Sequence, residues 1–216
     1  MEPRLFHNRL EAGKILSEQL AAYANRPDTL VLGLLRGGVP VAFSVAQALR
    51  APLDIWLVRK LGVPGQEELA MGAIATGGVR VLNDMVIRSL GIPNDVIEAV
   101  TALEQRELQR REQLYRGVRP APDVRGRTVI LVDDGIATGA TMRAAIAALR
   151  QSAPARVVVA VPVVAAPTVD VLRAEADELV FVAAPEHFIG VGFWYEDFSQ
   201  ATDEEIRDLL DRAWHG

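Results

Sequence analysis

The chain has 216 residues, half of them apolar and 24% charged, with a net charge of −5 and no cysteine. That length holds one substantial domain with a small accessory lobe, and the composition excludes a disordered chain. The missing thiols exclude disulfides, thiolate metal sites and a cysteine nucleophile, and the acidic balance argues against nucleic acid as a partner.

Met1-Glu2-Pro3-Arg4 lacks the apolar run of a signal peptide, and no stretch reaches the length of a membrane span, so a cytoplasmic protein without a membrane partner is expected. Leu10, Ile15, Leu16 and Leu20 recur at helical spacing and predict a helix over residues 10–24. An apolar run predicts a strand over 29–35, closed by a turn at Arg36-Gly37-Gly38. Pro40 then suits the first turn of a helix ending near residue 49. A strand follows over 53–58. Residues 59–78 are rich in glycine and read as a long irregular loop, with a short strand over 79–83. A long charged helix spans 94–116. Its Glu104, Arg106, Glu107, Arg110, Arg111 and Glu112 read as a solvated face with i,i+4 pairs.

A strand over 127–132, a helix over 141–152, a strand over 156–164, a helix over 168–175 and a strand over 179–182 continue the alternation. The tail from residue 185 is aromatic and irregular, and a helix over 203–213 closes the chain. This order predicts an α/β fold, a mainly parallel twisted sheet flanked by helices. We expect one domain with its core over about 28–183 and a small hood built from about 1–12 and 184–216.

The most informative stretch is Val129-Ile130-Leu131-Val132-Asp133-Asp134-Gly135-Ile136-Ala137-Thr138-Gly139-Ala140-Thr141-Met142. Four apolar β-formers fit a strand buried on both faces, and ligands of open α/β sheets lie beyond the carboxyl ends of such strands. Gly135 and Gly139 let the backbone turn and approach a ligand closely. The loop N–H groups and the helix N-terminus make an anion site, to which Thr138 and Thr141 add hydroxyls. Asp133 and Asp134 repel a phosphate and suit ribose hydroxyls or a bound Mg²⁺.

This segment resembles the phosphoribosyl-pyrophosphate (PRPP) motif of the type I phosphoribosyltransferases: four apolar residues, two acidic ones, then a small-residue loop ending in Thr-Gly-x-Thr/Ser. The chain as a whole looks like a bacterial subgroup of phosphoribosyltransferase-like proteins. The resemblance implies that residues Gly135, Ile136, Ala137, Thr138, Gly139, Ala140 and Thr141 hold the 5′-phosphate. It implies that Asp133 and Asp134 serve the ribose, directly or through metal-bound water, with Mg²⁺ as cofactor.

Three other segments fit the same reading. Leu35-Arg36-Gly37-Gly38-Val39-Pro40 resembles the family's pyrophosphate loop, where a non-proline cis peptide often occurs, and Arg36, Gly37 and Gly38 are its anion contacts. The stretch from Val58-Arg59-Lys60 to Gly72 resembles the family's mobile catalytic loop, with Arg59 and Lys60 neutralising the leaving pyrophosphate. Pro185 to Phe198 loosely resembles the hood of the hypoxanthine-guanine enzymes. There Phe188 would stack on a base and the Ile189 backbone would read its edge, with Trp194 as a further face. The bland alternative for that stretch is an apolar plug. Phe6-His7-Asn8-Arg9 also suits the hood.

The resemblance thus implies a Mg²⁺-dependent transfer from PRPP to a nitrogen acceptor, a nucleobase or amine, releasing pyrophosphate, in a homodimer. Ala137 occupies a position that is acidic in enzymes of 6-oxopurines, which argues against such an acceptor. Two other classes remain: a non-catalytic PRPP or nucleotide sensor, and a nucleotide hydrolase or dinucleotide enzyme. The last lacks the expected Gly-x-Gly-x-x-Gly after a first strand.

Overall fold

A computed structural model describes residues 5–215. Its centre is a five-stranded sheet of order β2-β1-β6-β7-β8, in which every neighbouring pair is parallel. The strands are β1 (Thr29–Leu34), β2 (Leu53–Trp56), β6 (Thr128–Val132), β7 (Arg156–Val163) and β8 (Glu178–Ala183). Both faces are covered, so alternate residues of one strand enter different cores. Val31, Ile130 and Val158 face the core shared with α1 (Arg9–Gln19), α2 (Gly38–Leu49) and α7 (Asp203–His215). Leu30, Leu32, Val129 and Leu131 face α5 (Ala140–Gln151) and α6 (Ala166–Glu175).

The stretch read as an irregular loop is instead an antiparallel sheet of β3 (Val58–Val63), β4 (Gln66–Ala75) and β5 (Val79–Leu82). Three of its glycines have a function in the sheet. Gly65 follows Pro64 at φ 78° and closes a two-residue turn, since Val63 pairs with Gln66. Gly62 sits at a register shift, and a Cβ on Gly72 would lie 2.5 Å from the Val81 carbonyl oxygen.

A further helix, α3 (Asp84–Leu90), was not foreseen, although its caps are local. The Asn83 side chain accepts from the Val86 N–H, and Gly91 ends the helix at φ 59°. The long helix α4 (Asn94–Arg116) has the expected bounds and packs against β3, β4 and α7.

Two distant segments pack together in a small unit, called the hood below. The Glu196 and Asp197 N–H groups donate to the carbonyls of Phe6 and His7 at 2.9 and 2.8 Å. Phe6, Ala12, Val163, Trp194 and Tyr195 make its small core. The expected hood included the closing helix, but Ile206, Leu209 and Leu210 of α7 enter the main core. The first four residues and Gly216, also assigned to the hood, lie outside the described residues. Among the described residues no helix is long and apolar enough to cross a membrane.

Candidate active site

The chain leaves β1 toward β2 on one side, and leaves β6 toward β7 on the other. The gap between the carboxyl ends of β1 and β6 is therefore a topological switch point, where α/β sheets take their ligands. Arg36-Gly37-Gly38 follows β1 and Asp133-Asp134 follows β6, so the two segments face each other there. The Leu35–Arg36 peptide is cis.

The contact between these loops is close enough to dictate glycine. A Cβ on Gly37 would collide with the Asp134 carboxylate, and one on Gly38 would lie 2.5 Å from the Val132 carbonyl oxygen. The Gly-Gly pair is thus required by packing against the acidic motif, in addition to any service to an anion.

Beyond Asp133 the loop surrounds a concavity of about 210 Å³, lined by Asp133, Gly135 to Met142, and Val191 from the hood. Gly139, at φ 75°, is the N-cap of α5. The outer side of the loop is tied down. The Ala165 N–H donates to the Ile136 carbonyl at 2.8 Å, and the Thr168 hydroxyl donates to the Ala137 carbonyl at 2.6 Å. Ala137, Thr138, Ala140 and Thr141 stay exposed or line the opening. The result is a rigid cradle opening on a helix N-terminus, suited to a phosphate.

The two carboxylates differ. Burial and then the charge of Asp134 push Asp133 well above the ordinary carboxylate range, against the Asp134 N–H that donates to its Oδ1 at 2.9 Å. Asp134 is raised by burial and pulled down by Arg9. Arg9 Nε donates to Asp134 Oδ2 at 2.7 Å, with side chains only 12% and 14% exposed. The same guanidinium donates to the Ser199 carbonyl at 2.6 Å and lies 3.9 Å over the Phe198 ring. The Tyr195 hydroxyl donates to the Asp134 carbonyl at 2.6 Å. Asp134 therefore ties the hood to the motif, and Asp133 alone of the pair lines the concavity.

The cationic side is built from three elements. Arg36 reaches Asp203 at the start of α7 at 3.4 Å, and the Tyr115 hydroxyl donates to the same oxygen at 2.5 Å. Arg59 and Lys60 lie on β3 rather than in a mobile loop, paired with Ile74 and Ala73. Arg59 is held by Glu104 of α4 at 2.5 Å and borders a narrow cleft with Leu35 and Thr141. Lys60 does not line that cleft; it meets Glu68 across the hairpin at 3.3 Å.

The hood aromatics also depart from expectation. Trp194 is 4% exposed, within the hood core, and has no face left for a base. Phe188 is half-buried against the same cluster, whereas Ile189 is 76% exposed. Val191, which the sequence did not single out, packs on Gly135 and closes one wall of the concavity. Arg9 was legible only as a hood residue. Its pairing with Asp134 spans 125 positions and has no local signal.

Among the described residues no group of three His, Asp or Glu side chains is placed to hold a metal ion. Asp133 beside an open cradle fits a Mg²⁺ that keeps its waters and arrives on substrate phosphates, the usual habit of that ion.

A family model described as the phosphoribosyl transferase domain matches residues 5–182. Two Mycobacterium tuberculosis proteins, each described as "Putative phosphoribosyl transferase", are 47% identical over 210 residues, covering 97% of this chain and 47% of theirs. The chain spans about half the length of these curated relatives. The crystal structure of TT1426 from Thermus thermophilus is 44% identical with a TM-score of 0.88, covering 98% of this chain and 99% of that one. The AQ2163 protein from Aquifex aeolicus shares the fold alone, at 14% identity and a TM-score of 0.53 over 94% of this chain and 84% of its own. With its acidic motif, glycine loop and small-residue loop meeting at one switch point, the chain belongs to the phosphoribosyl transferase domain family.

Proposed function

We propose that the protein transfers a 5-phosphoribosyl group from PRPP to a nitrogen acceptor, releasing pyrophosphate. The observation that carries this reading is the division of the switch point. A cradle suited to a phosphate opens on one side, arginines stand on the other, and Asp133 lines the cradle while lying against Gly38 of the glycine loop, which matches the charge layout of a sugar phosphate bearing a pyrophosphate.

In this reading the loop from Gly135 to Thr141 binds the 5′-phosphate through backbone N–H groups and the Thr138 and Thr141 hydroxyls. Asp133 accepts from the ribose hydroxyls and stabilises positive charge that develops on the ring. Asp134 acts through Arg9 and Tyr195, which fix the position of its neighbour. Arg36, Arg59 and the Gly37 and Gly38 amides take the leaving pyrophosphate, with Lys60 at the rim. The bond from C1 to the pyrophosphate oxygen breaks, and a bond from C1 to the acceptor nitrogen forms as that nitrogen gives up its proton. Such a displacement relies on positioning and charge control rather than on a covalent nucleophile. Mg²⁺, when bound, neutralises charge on the departing pyrophosphate.

The acceptor is a nucleobase or an amine. Val191 supplies apolar surface on the wall of the concavity, and the neutral Ala137 disfavours a 6-oxopurine. We assign the protein to the cytoplasm and to a homodimer on the family resemblance. A panel of nucleobases and amines tests the reading, with PRPP and Mg²⁺ present and pyrophosphate release as the signal. Release that depends on one acceptor supports it. Saturable PRPP binding without release for any acceptor would instead assign a non-catalytic sensor.

A further inference from the structure

The charged helix α4 contributes more than a solvated face. Its Glu104 leaves the helix surface to hold Arg59 of β3 at 2.5 Å, and its Tyr115 holds Asp203, the partner of Arg36. Between these two points lies Arg111, which donates through Nε to Glu107 Oε1 at 2.8 Å. Arg111 is not turned away from the site. With Arg59, Trp56, Thr141 and a set of apolar side chains that includes Leu35 and Leu108, it encloses a narrow cavity of about 30 Å³.

The position of that cavity is informative. Leu35 begins the glycine loop, and Thr141 belongs to the phosphate cradle. The cavity therefore joins the two anion-binding segments. Trp56, on its wall, is 1% exposed, and its indole Nε1 has no hydrogen-bond partner among the described residues. A buried donor without an acceptor is rare in folded proteins. The walls are mostly apolar, and the charged or hydroxyl side chains among them are those of Arg59, Arg111 and Thr141.

Arg36, Arg59 and Arg111 each have an internal carboxylate partner: Asp203, Glu104 and Glu107. All three pairs are partly exposed, a setting in which ion pairs are weak and easily exchanged. The cavity, at about 30 Å³, has room for a water molecule and not for a phosphate group. It must widen to take one.

We propose that Arg111 is a third arginine of the pyrophosphate end of the site, and that Glu107 is a placeholder that holds it until the pyrophosphoryl group displaces the carboxylate. This rests on the PRPP reading given above and adds a residue and an exchange of partners to it. Binding then trades an internal ion pair for charge-assisted hydrogen bonds to a more highly charged ligand. Glu104 does the same for Arg59.

The two members of the pair should have opposite effects on binding. Titration calorimetry of the full chain with pyrophosphate, at fixed Mg²⁺ and ionic strength, measures it. Arg111→Gln should weaken pyrophosphate binding about tenfold, because it removes a charged donor. Glu107→Gln should strengthen it severalfold, because it frees Arg111; Glu107 also accepts from Arg110, so the gain should disappear when Arg111→Gln is added. Arg111→Lys should recover part of the loss. A purely structural role predicts loss in both variants, so weakened binding in Glu107→Gln overturns the placeholder. Unchanged binding in Arg111→Gln overturns the assignment of Arg111. If Arg36→Gln abolishes binding while Arg111→Gln does not weaken it, the PRPP reading stands and this inference fails. If the wild-type protein binds neither pyrophosphate nor PRPP, the PRPP reading itself is wrong.

Discussion

Replacing Arg9 with alanine removes the cation that holds Asp134 in place. Both side chains are largely buried, at 12% and 14% exposure, and the guanidinium also bonds Ser199 and covers Phe198. Removing one partner of a buried pair costs about 3–5 kcal/mol, because the remaining charge loses its compensation. The residual solvent contact here places the loss near the lower end, about 3 kcal/mol. For a chain of this size each kcal/mol lowers Tm by about 2–4 °C, so a fall of about 6–12 °C is expected. Arg9→Lys keeps the charge but not the planar fork and should fall between the two. In an Asp134→Asn background the Arg9→Ala loss should shrink by about 1–3 kcal/mol, the coupling expected of directly paired groups. Scanning calorimetry on wild type, the two single variants and the double variant measures this. An Arg9→Ala protein that melts within about a degree of wild type, or a loss unchanged by Asp134→Asn, would refute the claim that this pair ties the hood to the motif.

Other outcomes follow from the same geometry. Gly37→Ala drives a methyl group into the Asp134 carboxylate and should destabilise the protein by about 1–3 kcal/mol in urea titrations. It should also abolish PRPP binding. Thr138→Val removes an exposed hydroxyl from the cradle and should raise the apparent KM for PRPP about tenfold or more with a smaller change in kcat; an unchanged KM moves the phosphate elsewhere. At the amino-terminal end of β1 and β6, away from the switch point, hydrogen bonds from Arg26 and Thr128 hold Asp28 down at about 2. A depressed carboxylate stabilises the fold above its unfolded value and loses that contribution as pH falls through its folded one. The Tm difference between wild type and Asp28→Asn should therefore be constant above about pH 5 and vanish toward about pH 2. A difference that persists at the acid end contradicts the pairing.

The parallel sheet was legible because each of its strands is a short apolar run bounded by turn residues, and most crossovers carry a helix. The β3–β4 hairpin was not, because Gly62, Gly65 and Gly72 read as breakers. One sits at a bulge, one closes a turn, and one lets β5 approach. Only the pairing partner distinguishes these cases from a loop. The acidic motif was legible because strand, carboxylates, loop and helix are contiguous. Arg9, Arg111 and Tyr195 were not, since each acquires its meaning from residues far along the chain. The aromatic cluster misled in the other direction: Trp194 suits a base by composition and is spent on the hood core. The helix α4 charges divide between the two cases. Glu107 pairs within the helix as the i,i+4 spacing implies, while Glu104 and Arg116 pair with Arg59 and Asp54 on neighbouring strands.

The central claim is that the switch point between β1 and β6 binds PRPP and turns it over with Asp133 at the reacting sugar. Pyrophosphate release from PRPP, with the acceptor found in the panel, should be readily measured in the wild type. It should fall to background in Asp133→Asn and in the double variant Asp133→Asn with Asp134→Asn, while the circular dichroism of Asp133→Asn stays that of the folded protein. Undiminished release from folded Asp133→Asn would contradict the account.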